Sequence, residues 1–465
     1  MNHVDIVIVG GGIAGLTTAW RIARDAPGRS VRVLEAGDRV GGTATSEQVD
    51  GFTIDRGPNG FLTNVPDSWD LATELGIADE MRSAADAAKK RFVYRNGRLH
   101  QLPSTPSKFF FGSKLLNPLE KMRVMTEPLA PPRDPGRDES VFDFAERRLG
   151  RGFAEAFMQP MVTGIVAGDA RQISLSALFP RMRQLEDEHG GLVAAMLVRG
   201  LQAAMGKRAN VGGPDGPGGR LTSFAAAGAG RITEALGAQL GACVTTGARV
   251  TSIDRADDGY LVQGDGFAPL RARAVVVATP AHATGPLLSP LVPAVQNDIA
   301  SIPYAGVRVV AMGYRIADLP SPPDGFGFLV PPGQDISILG CLYTSCFFPE
   351  QAPSGHVLFR VMAGGTRDPE FVTLDDAEAE RRVRADLGRA MGIEADPVLV
   401  RHVRWPRAIP QYTVGHEARV ARVEALLGRY APGIVLTGNA WHGVGLNDVV
   451  RDARRAATDA LRSVG

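Results

Sequence analysis

Three glycines and one acid carry the first chemical signal in this chain. Gly10, Gly12 and Gly15 lie in the run Gly10-Gly11-Gly12-Ile13-Ala14-Gly15, a G-x-G-x-x-G spacing, and Glu35 stands 20 residues beyond Gly15. In such a turn the first glycine permits a tight bend, the second admits a pyrophosphate close to the backbone, and the third lets a helix pack on a strand. Gly12, Ile13 and Ala14 would open that helix, whose free N–H groups and dipole attract phosphate. Glu35, followed by Ala36, is set to accept from ribose hydroxyls, and an acid there disfavours a 2′-phosphate. The nucleotide expected is an ADP moiety of NAD or FAD type, not NADP. Arg39-Val40-Gly41-Gly42 adds a second glycine pair directly after the acid. Near the C-terminus, Gly438-Asn439 and Gly443-Val444-Gly445 approach another helix start, where backbone amides would stabilise negative charge.

These groups need a strand, a helix and a second strand to hold them. Residues 5–9 are a β-branched run of the kind buried in a parallel sheet. Leu16, Ala19, Trp20 and Ala23 recur at helical spacing until Pro27 and Gly28 stop the helix, and residues 31–34 return as a strand. This is a βαβ unit. Residues 51–55 read as a further strand entering the turn-rich Arg56-Gly57-Pro58-Asn59-Gly60, and a short helix follows, with Pro66 near its first turn and Gly76 at its end. Asn96-Gly97 between 91–94 and 99–102 marks a hairpin that Arg91 opens. Residues 140–189 read as helices, and 207–220, rich in glycine and proline, as a loop or linker. A helix over 231–240 and a hairpin through 257–259 lead to a strand over 274–278. From 285 to 405 strand patterns dominate, at 307–314, 325–330, 336–343, 355–363 and 398–405. One helix interrupts them, with Thr373 and Asp376 as its capping pair and Gly392 at its end. A strand over 434–437 precedes a C-terminal helix that gathers Val449, Ala453, Ala456 and Ala460 on one face.

At 465 residues the chain is long enough for two or three domains with sizeable cores. A net charge of +1, with no basic run interleaved with aromatics, argues against nucleic acid as a partner. Cys243, Cys341 and Cys346 form no CxxC pair, which fits a reducing compartment, and the 8 histidines show no metal-ligand spacing, so no metal is expected. The first strand begins at once and no apolar run is long enough to span a bilayer, so a cytoplasmic location is expected. Phe109, Phe110 and Phe111 lie beside Lys108, Lys114, Lys121 and Arg123, opposed by Glu120. Either these aromatics face an anionic membrane, or they are core and the lysines are its solvated rim. A second apolar patch spans 192–205.

The spacing from Glu35 through Arg39 to Gly41-Gly42 resembles the flavin-containing amine-oxidase-like superfamily, which implies FAD as the cofactor. Over nearly its whole length the chain resembles the protoporphyrinogen oxidases of that superfamily, through residues 57–60, 90–94, 163–169, 174–180, 325–331, 409–416 and 438–448. The fold this implies is α/β, α+β overall: a Rossmann-type two-dinucleotide-domain flavoprotein with a mixed-sheet substrate domain and a helical membrane-binding insertion. The FAD domain would be assembled from 1–85, 206–284 and 406–465, the substrate domain from 86–103 and 285–405, and the insertion from 104–205. By the same resemblance Gly57, Pro58, Asn59, Ala278, Trp405, Gly438 and Asn439 line the cofactor, and Val250 presents its backbone to the adenine. Gly443-Val444-Gly445 would meet the flavin near N1 and O2. On the substrate side Arg91 would pair with a propionate, with Asn59 nearby, while Phe326 and Leu329 pack on pyrrole faces and Met362 faces the macrocycle. From the residues alone, Arg91 also reads as a hairpin rim charge and those three apolar residues read as core. Residues 227–230 depart from the usual glycine pair before a helix. No general acid or base is assigned.

The reaction implied is oxidation of protoporphyrinogen IX to protoporphyrin IX, six electrons in three two-electron steps, with molecular oxygen as acceptor and hydrogen peroxide as product. Coproporphyrinogen III oxidation, the same chemistry on four propionates, is the nearest alternative. A flavin amine oxidase is a further one, opposed by the absence of any lysine after Lys207. A flavin-fold binding protein without FAD is the non-enzyme alternative, which Glu35 and Gly443-Val444-Gly445 oppose. The partners expected are the porphyrinogen and oxygen, with membrane contact through 104–205, at the cytoplasmic face of the inner membrane, and a homodimer both compatible with the sequence.

Overall fold

Asn2–Val9 is the strand on which the nucleotide half is built, and its Ile6, Val7 and Ile8 are fully buried. In this computed structural model residues 2–105, 108–195, 198 and 219–465 are described. The expected loop at 207–218 and most of the apolar patch at 192–205 lie outside them. Asn2–Val9 pairs in parallel with Val31–Leu34 on one side and Leu270–Val277 on the other. Val244–Thr245 extends the sheet beyond Val31–Leu34, and Ile434–Leu436 adds a further parallel strand against Leu270–Val277. The hairpin Arg249–Ala256 and Gly259–Asp265 continues it in antiparallel sense. Where both faces of the parallel strands are covered the sequence is continuously apolar, as in residues 6–9 and 274–277, and the charged Asp5, Arg32, Arg271 and Arg273 lie outside those stretches. Helices Ile13–Asp25 and Leu446–Val464 cross on one face, where Thr18 Oγ1 donates to Ala14 O and reaches Ala453 O at 3.3 Å. The alanines at 453, 456, 457 and 460 are all buried and allow this close approach.

A second seven-stranded sheet runs Leu399–Pro410, Tyr304–Arg315, His356–Gly364, Gly340–Tyr343, Gly327–Leu329, Arg91–Arg95 and Arg98–Gln101. Its one parallel pairing sets Gly327 opposite Arg91. The Asn96-Gly97 turn has positive φ at both residues, 53° and 73°, as a two-residue hairpin loop requires. The strand expected over 336–343 begins only at Gly340. Upstream of it, side chains have taken over the backbone bonds: Asp386 accepts from the Ser337 and Ile338 amides, and Arg367 donates to the Ser337 carbonyl at 2.7 Å. Helix Asp376–Met391 lays Ala379, Val383 and Leu387 on this sheet and ends at a left-handed Gly392. Its N-cap is Asp375, whose carboxylate accepts from Glu378 N at 2.8 Å, in place of the expected Thr373 and Asp376 pair. Thr373 instead closes its own short turn onto Glu370 O.

Short helices fill 118–189, among them Pro118–Met125, Val141–Leu149, Gln159–Val166 and Pro180–His189. The fully buried Glu127 accepts from Arg148 Nε and from the amides of Leu192 and Val193, so an ion pair and a chain turn are satisfied together. The aromatic run is split between packed and exposed side chains. Phe109 packs on Phe153 and Phe157, whereas Phe111 is 93% exposed. Lys121 is turned inward, donating to Phe110 O and Ser113 O, and Arg123 donates to Arg148 O, so neither is a free surface cation. Lys108 and Lys114 remain exposed. Among the described residues no helix is long and apolar enough to cross a membrane.

Candidate active site

The turn after Asn2–Val9 is shaped by what a side chain would strike. Gly10 has φ +108° and faces Ala278 O, which would lie 2.9 Å from an added Cβ, and a Cβ on Gly15 would fall 2.0 Å from Gly10 O. At Gly12, by contrast, a Cβ would meet nothing within 4 Å. The opening there is bounded by Gly41, which pairs with Gly12 across a short bridge and donates to Gly11 O. Ile13 and Ala14 begin the helix beyond it. Glu35 closes the pattern, its carboxylate accepting from Gly11 N at 2.6 Å and Gly37 N at 2.7 Å. Gly11, a free position in the spacing, thus has a role the sequence reading missed: a Cβ there would lie 2.8 Å from that of Glu35. Ala36 and Arg39 are exposed beside the acid. Val250 lies in the strand just after Ala248, whose amide donates to Glu35 O.

The C-terminal turn is brought to the same place. Thr437 N donates to Val277 O, and Gly438, with φ +118°, lies against Ala14. Gly443, at φ +138°, has no room for a Cβ because Asp448 would be 2.3 Å away. Burial raises the Asp448 carboxyl above the usual carboxylate range.

A third loop, 56–60, joins the two sheets. Trp405 Nε1 donates to Arg56 O at 2.8 Å, and Arg360, buried in the second sheet, donates to the carbonyls of Asp55 and Gly57. The Asp55 carboxylate accepts from Ser46 Oγ, Ala229 N and Gln351 Nε2, and burial pushes its pKa up. The irregular 227–230 turn is therefore held by Asp55 and by Ser46, which accepts from Gly230 N. Among the described residues Asn59 Nδ2 is buried without a partner, a donor waiting for an acceptor. Gly57 must be glycine because Thr43 O would lie 2.1 Å from its Cβ, and Pro58 fixes the chain between it and Asn59.

On the second sheet, the Arg91 guanidinium lies 5.1 Å over the Phe326 ring, which itself stacks on Phe347 at 4.7 Å. Met362 packs with Phe326 in one apolar cluster and with Trp405 in another. Its Sδ lies 3.9 Å from Arg360 Nη1, so a single guanidinium touches both this slot and the 56–60 loop. Leu329 packs on Gly164 of the helical segment, where a Cβ would stand 2.8 Å from Leu329 Cδ2. Among the described residues no group of three or more His, Cys, Asp or Glu is placed to hold a metal.

The sequence pattern of flavin-containing amine oxidoreductases matches residues 13–461. The chain belongs to that family. This oxidoreductase is 31% identical to a coproporphyrinogen III oxidase of Propionibacterium freudenreichii, covering 99% of this chain and 91% of the relative. It is equally 31% identical to a chloroplastic protoporphyrinogen oxidase of rice, covering 98% and 87%. A solved structure from Exiguobacterium sp. 255-15, provisionally named a protoporphyrinogen oxidase, superposes with a TM-score of 0.85 at 28% identity, over 99% of this chain and all of the other. Cyclohexylamine oxidase from Brevibacterium oxydans shares the fold, with a TM-score of 0.71 at 19% identity. The cofactor of this flavin oxidoreductase is FAD, and the open cradle at Gly12, the anchored Glu35 and the orphaned Asn59 amide fit it. Gly10 to Gly15, Glu35, Gly41-Gly42, the 56–60 loop and the 438–445 turn would hold it.

Proposed function

We propose that this flavin oxidoreductase converts protoporphyrinogen IX to protoporphyrin IX in haem and porphyrin biosynthesis, with molecular oxygen as acceptor and hydrogen peroxide as product. The observation that carries this reading is the pairing of Arg91 with Phe326 at the edge of an apolar slot completed by Leu329 and Met362. A tetrapyrrole presents apolar ring faces and anionic propionates, and the slot offers aromatic and aliphatic surface with the exposed Arg91 guanidinium at its edge. FAD, when bound, supplies the two-electron redox chemistry. The chain's own work is to hold the macrocycle flat on Phe326 and Leu329, fix its edge through Arg91, and keep water from the reacting face. The absence of a lysine after Lys207 separates this slot from the amine-oxidising reading.

Coproporphyrinogen III is the second reading, supported by a relative of equal identity that carries that name and by another at 29%. We further propose that the exposed stripe of Leu119, Met122 and Met125, with Phe111 and Leu129 beside it, rests on a membrane surface. The deciding experiment mixes the FAD-loaded protein in air with each porphyrinogen and with a primary amine, following porphyrin fluorescence and peroxide. Faster turnover of protoporphyrinogen supports the first reading, preference for the four-propionate substrate replaces it with the second, and turnover of the amine alone overturns both.

A further inference from the structure

Tyr412 comes from a segment earlier in the chain than the 438–445 turn, yet it organises that turn. Its side chain is 2% exposed. The hydroxyl accepts from Gly443 N at 2.8 Å and donates to Asn439 O at 2.7 Å, closing residues 439–443 into a ring through one oxygen. A phenol can make both bonds at once because it is donor and acceptor. The Tyr412 ring stacks on His416 with centroids 3.8 Å apart, and His416 Nε2 meets Trp441 O at 3.3 Å. Alternate residues 439, 441 and 443 therefore hang from one aromatic pair. The entry to the turn is fixed separately, by Asp452 accepting from Thr437 Oγ1 and Gly438 N.

This wiring decides which amides are left for the cofactor. Of Gly443, Val444 and Gly445, the first has its N–H on Tyr412, and the Asp448 carboxylate is turned toward the third. The Val444 amide has no partner among the described residues. Its side chain packs beside Ile409 against the helical core, which holds the peptide in place.

We propose that Tyr412 is a positioning residue for the flavin: by occupying the Gly443 amide and the Asn439 carbonyl it aims the Val444 amide and the helix start at the cofactor, and so sets its reduction potential. The inference rests on the assignment of FAD to this cleft. Negative charge gained on reduction is stabilised by an aimed amide and loses that stabilisation when the turn relaxes.

The test is Tyr412→Phe in the FAD-loaded protein, with the potential measured by equilibration against a reference dye. The expected result is FAD still bound, a dye equilibrium displaced about tenfold toward oxidised flavin, which for a two-electron couple is about 30 mV, and faster hydrogen exchange at Gly443. Should that variant not fold, His416→Leu keeps the hydroxyl but removes the stacked ring that aligns it, and must displace the equilibrium in the same direction by a smaller factor. Bound FAD with an unchanged potential overturns the role of Tyr412, whereas failure of the wild-type protein to take up FAD overturns the cofactor assignment itself.

Discussion

Arg91 and Phe326, the residue just before the strand Gly327–Leu329 that pairs with Arg91–Arg95, form a cation–π pair 5.1 Å apart, and Phe326 N also donates to the carbonyl of Lys90. The guanidinium is thus held over an aromatic face while its outer edge stays exposed. Arg91→Ala should lower kcat/KM for the preferred porphyrinogen about tenfold, chiefly through KM, as expected for loss of a partly solvated charge-assisted contact of about 1.5 kcal/mol. Arg91→Lys should recover only part of this, because an ammonium cannot reproduce a planar fork. Steady-state kinetics on both variants check the expectation, and an unchanged KM would remove Arg91 from substrate docking.

Gly12 and Gly15 should respond oppositely to the same methyl group. Gly12 has φ −75° and ψ 177°, which alanine adopts, and its Cβ would meet no protein atom within 4 Å. Gly12→Ala should leave the FAD-free protein as stable as wild type, within about 0.5 kcal/mol, yet colourless after reconstitution. At Gly15 the Cβ would lie 2.0 Å from a backbone oxygen, so Gly15→Ala should destabilise the fold itself by about 3 kcal/mol. Denaturant melts of the apoproteins and flavin absorbance after reconstitution separate the two.

His416 should make stability fall in mild acid. Burial holds its pKa down to about 4, and its Nδ1 has no partner among the described residues. The unfolded chain, with an ordinary histidine near 6.5, binds more protons than the native state between these values, so stability rises with pH across that window and its contribution is lost on going down through it. The full loss is about 3 kcal/mol. His416→Gln should flatten the difference between melts at pH 4 and pH 7.5, while an equally steep profile in the variant would locate the acid sensitivity elsewhere.

The outward stripe on Pro118–Met125 should govern lipid contact. Leu119, Met122 and Met125 are 75%, 64% and 61% exposed. Replacing Leu119 and Met122 by Asp should cut co-sedimentation with anionic vesicles several-fold without altering the FAD spectrum or turnover of detergent-dispersed substrate. Equal sedimentation by the double variant would leave the stripe without that role.

What could be read in the sequence was local. Gly10, Gly12, Gly15 and Glu35 announce themselves because tight turn, helix start and the acid after the second strand lie within one βαβ unit, and Asn96-Gly97 does the same for its hairpin. The Thr373 cap was misplaced by two residues because Asp375 offers the same chemistry nearer the helix. Other features depend on distant contacts. Arg360 looks like any strand arginine until the fold sets it on carbonyls about 300 residues earlier. Tyr412 stands out in the sequence as part of the 409–416 motif, but its positioning role does not, since its partners Asn439 and Gly443 come from a later turn. Lys121 and Arg123 looked like surface charge because sequence does not show that carbonyls await them.

Arg360 also constrains how such an enzyme can be rebuilt from parts. Its guanidinium holds the Asp55 and Gly57 carbonyls while resting against Met362, so the strand that carries Met362 of the proposed substrate slot is fastened to the loop proposed to line the flavin. Grafting His356–Gly364 from a relative with a different porphyrinogen preference would import a new lining but also a new fastener. A chimera therefore has to exchange residues 55–60 together with that strand, or inherit altered specificity at the expense of its grip on the cofactor.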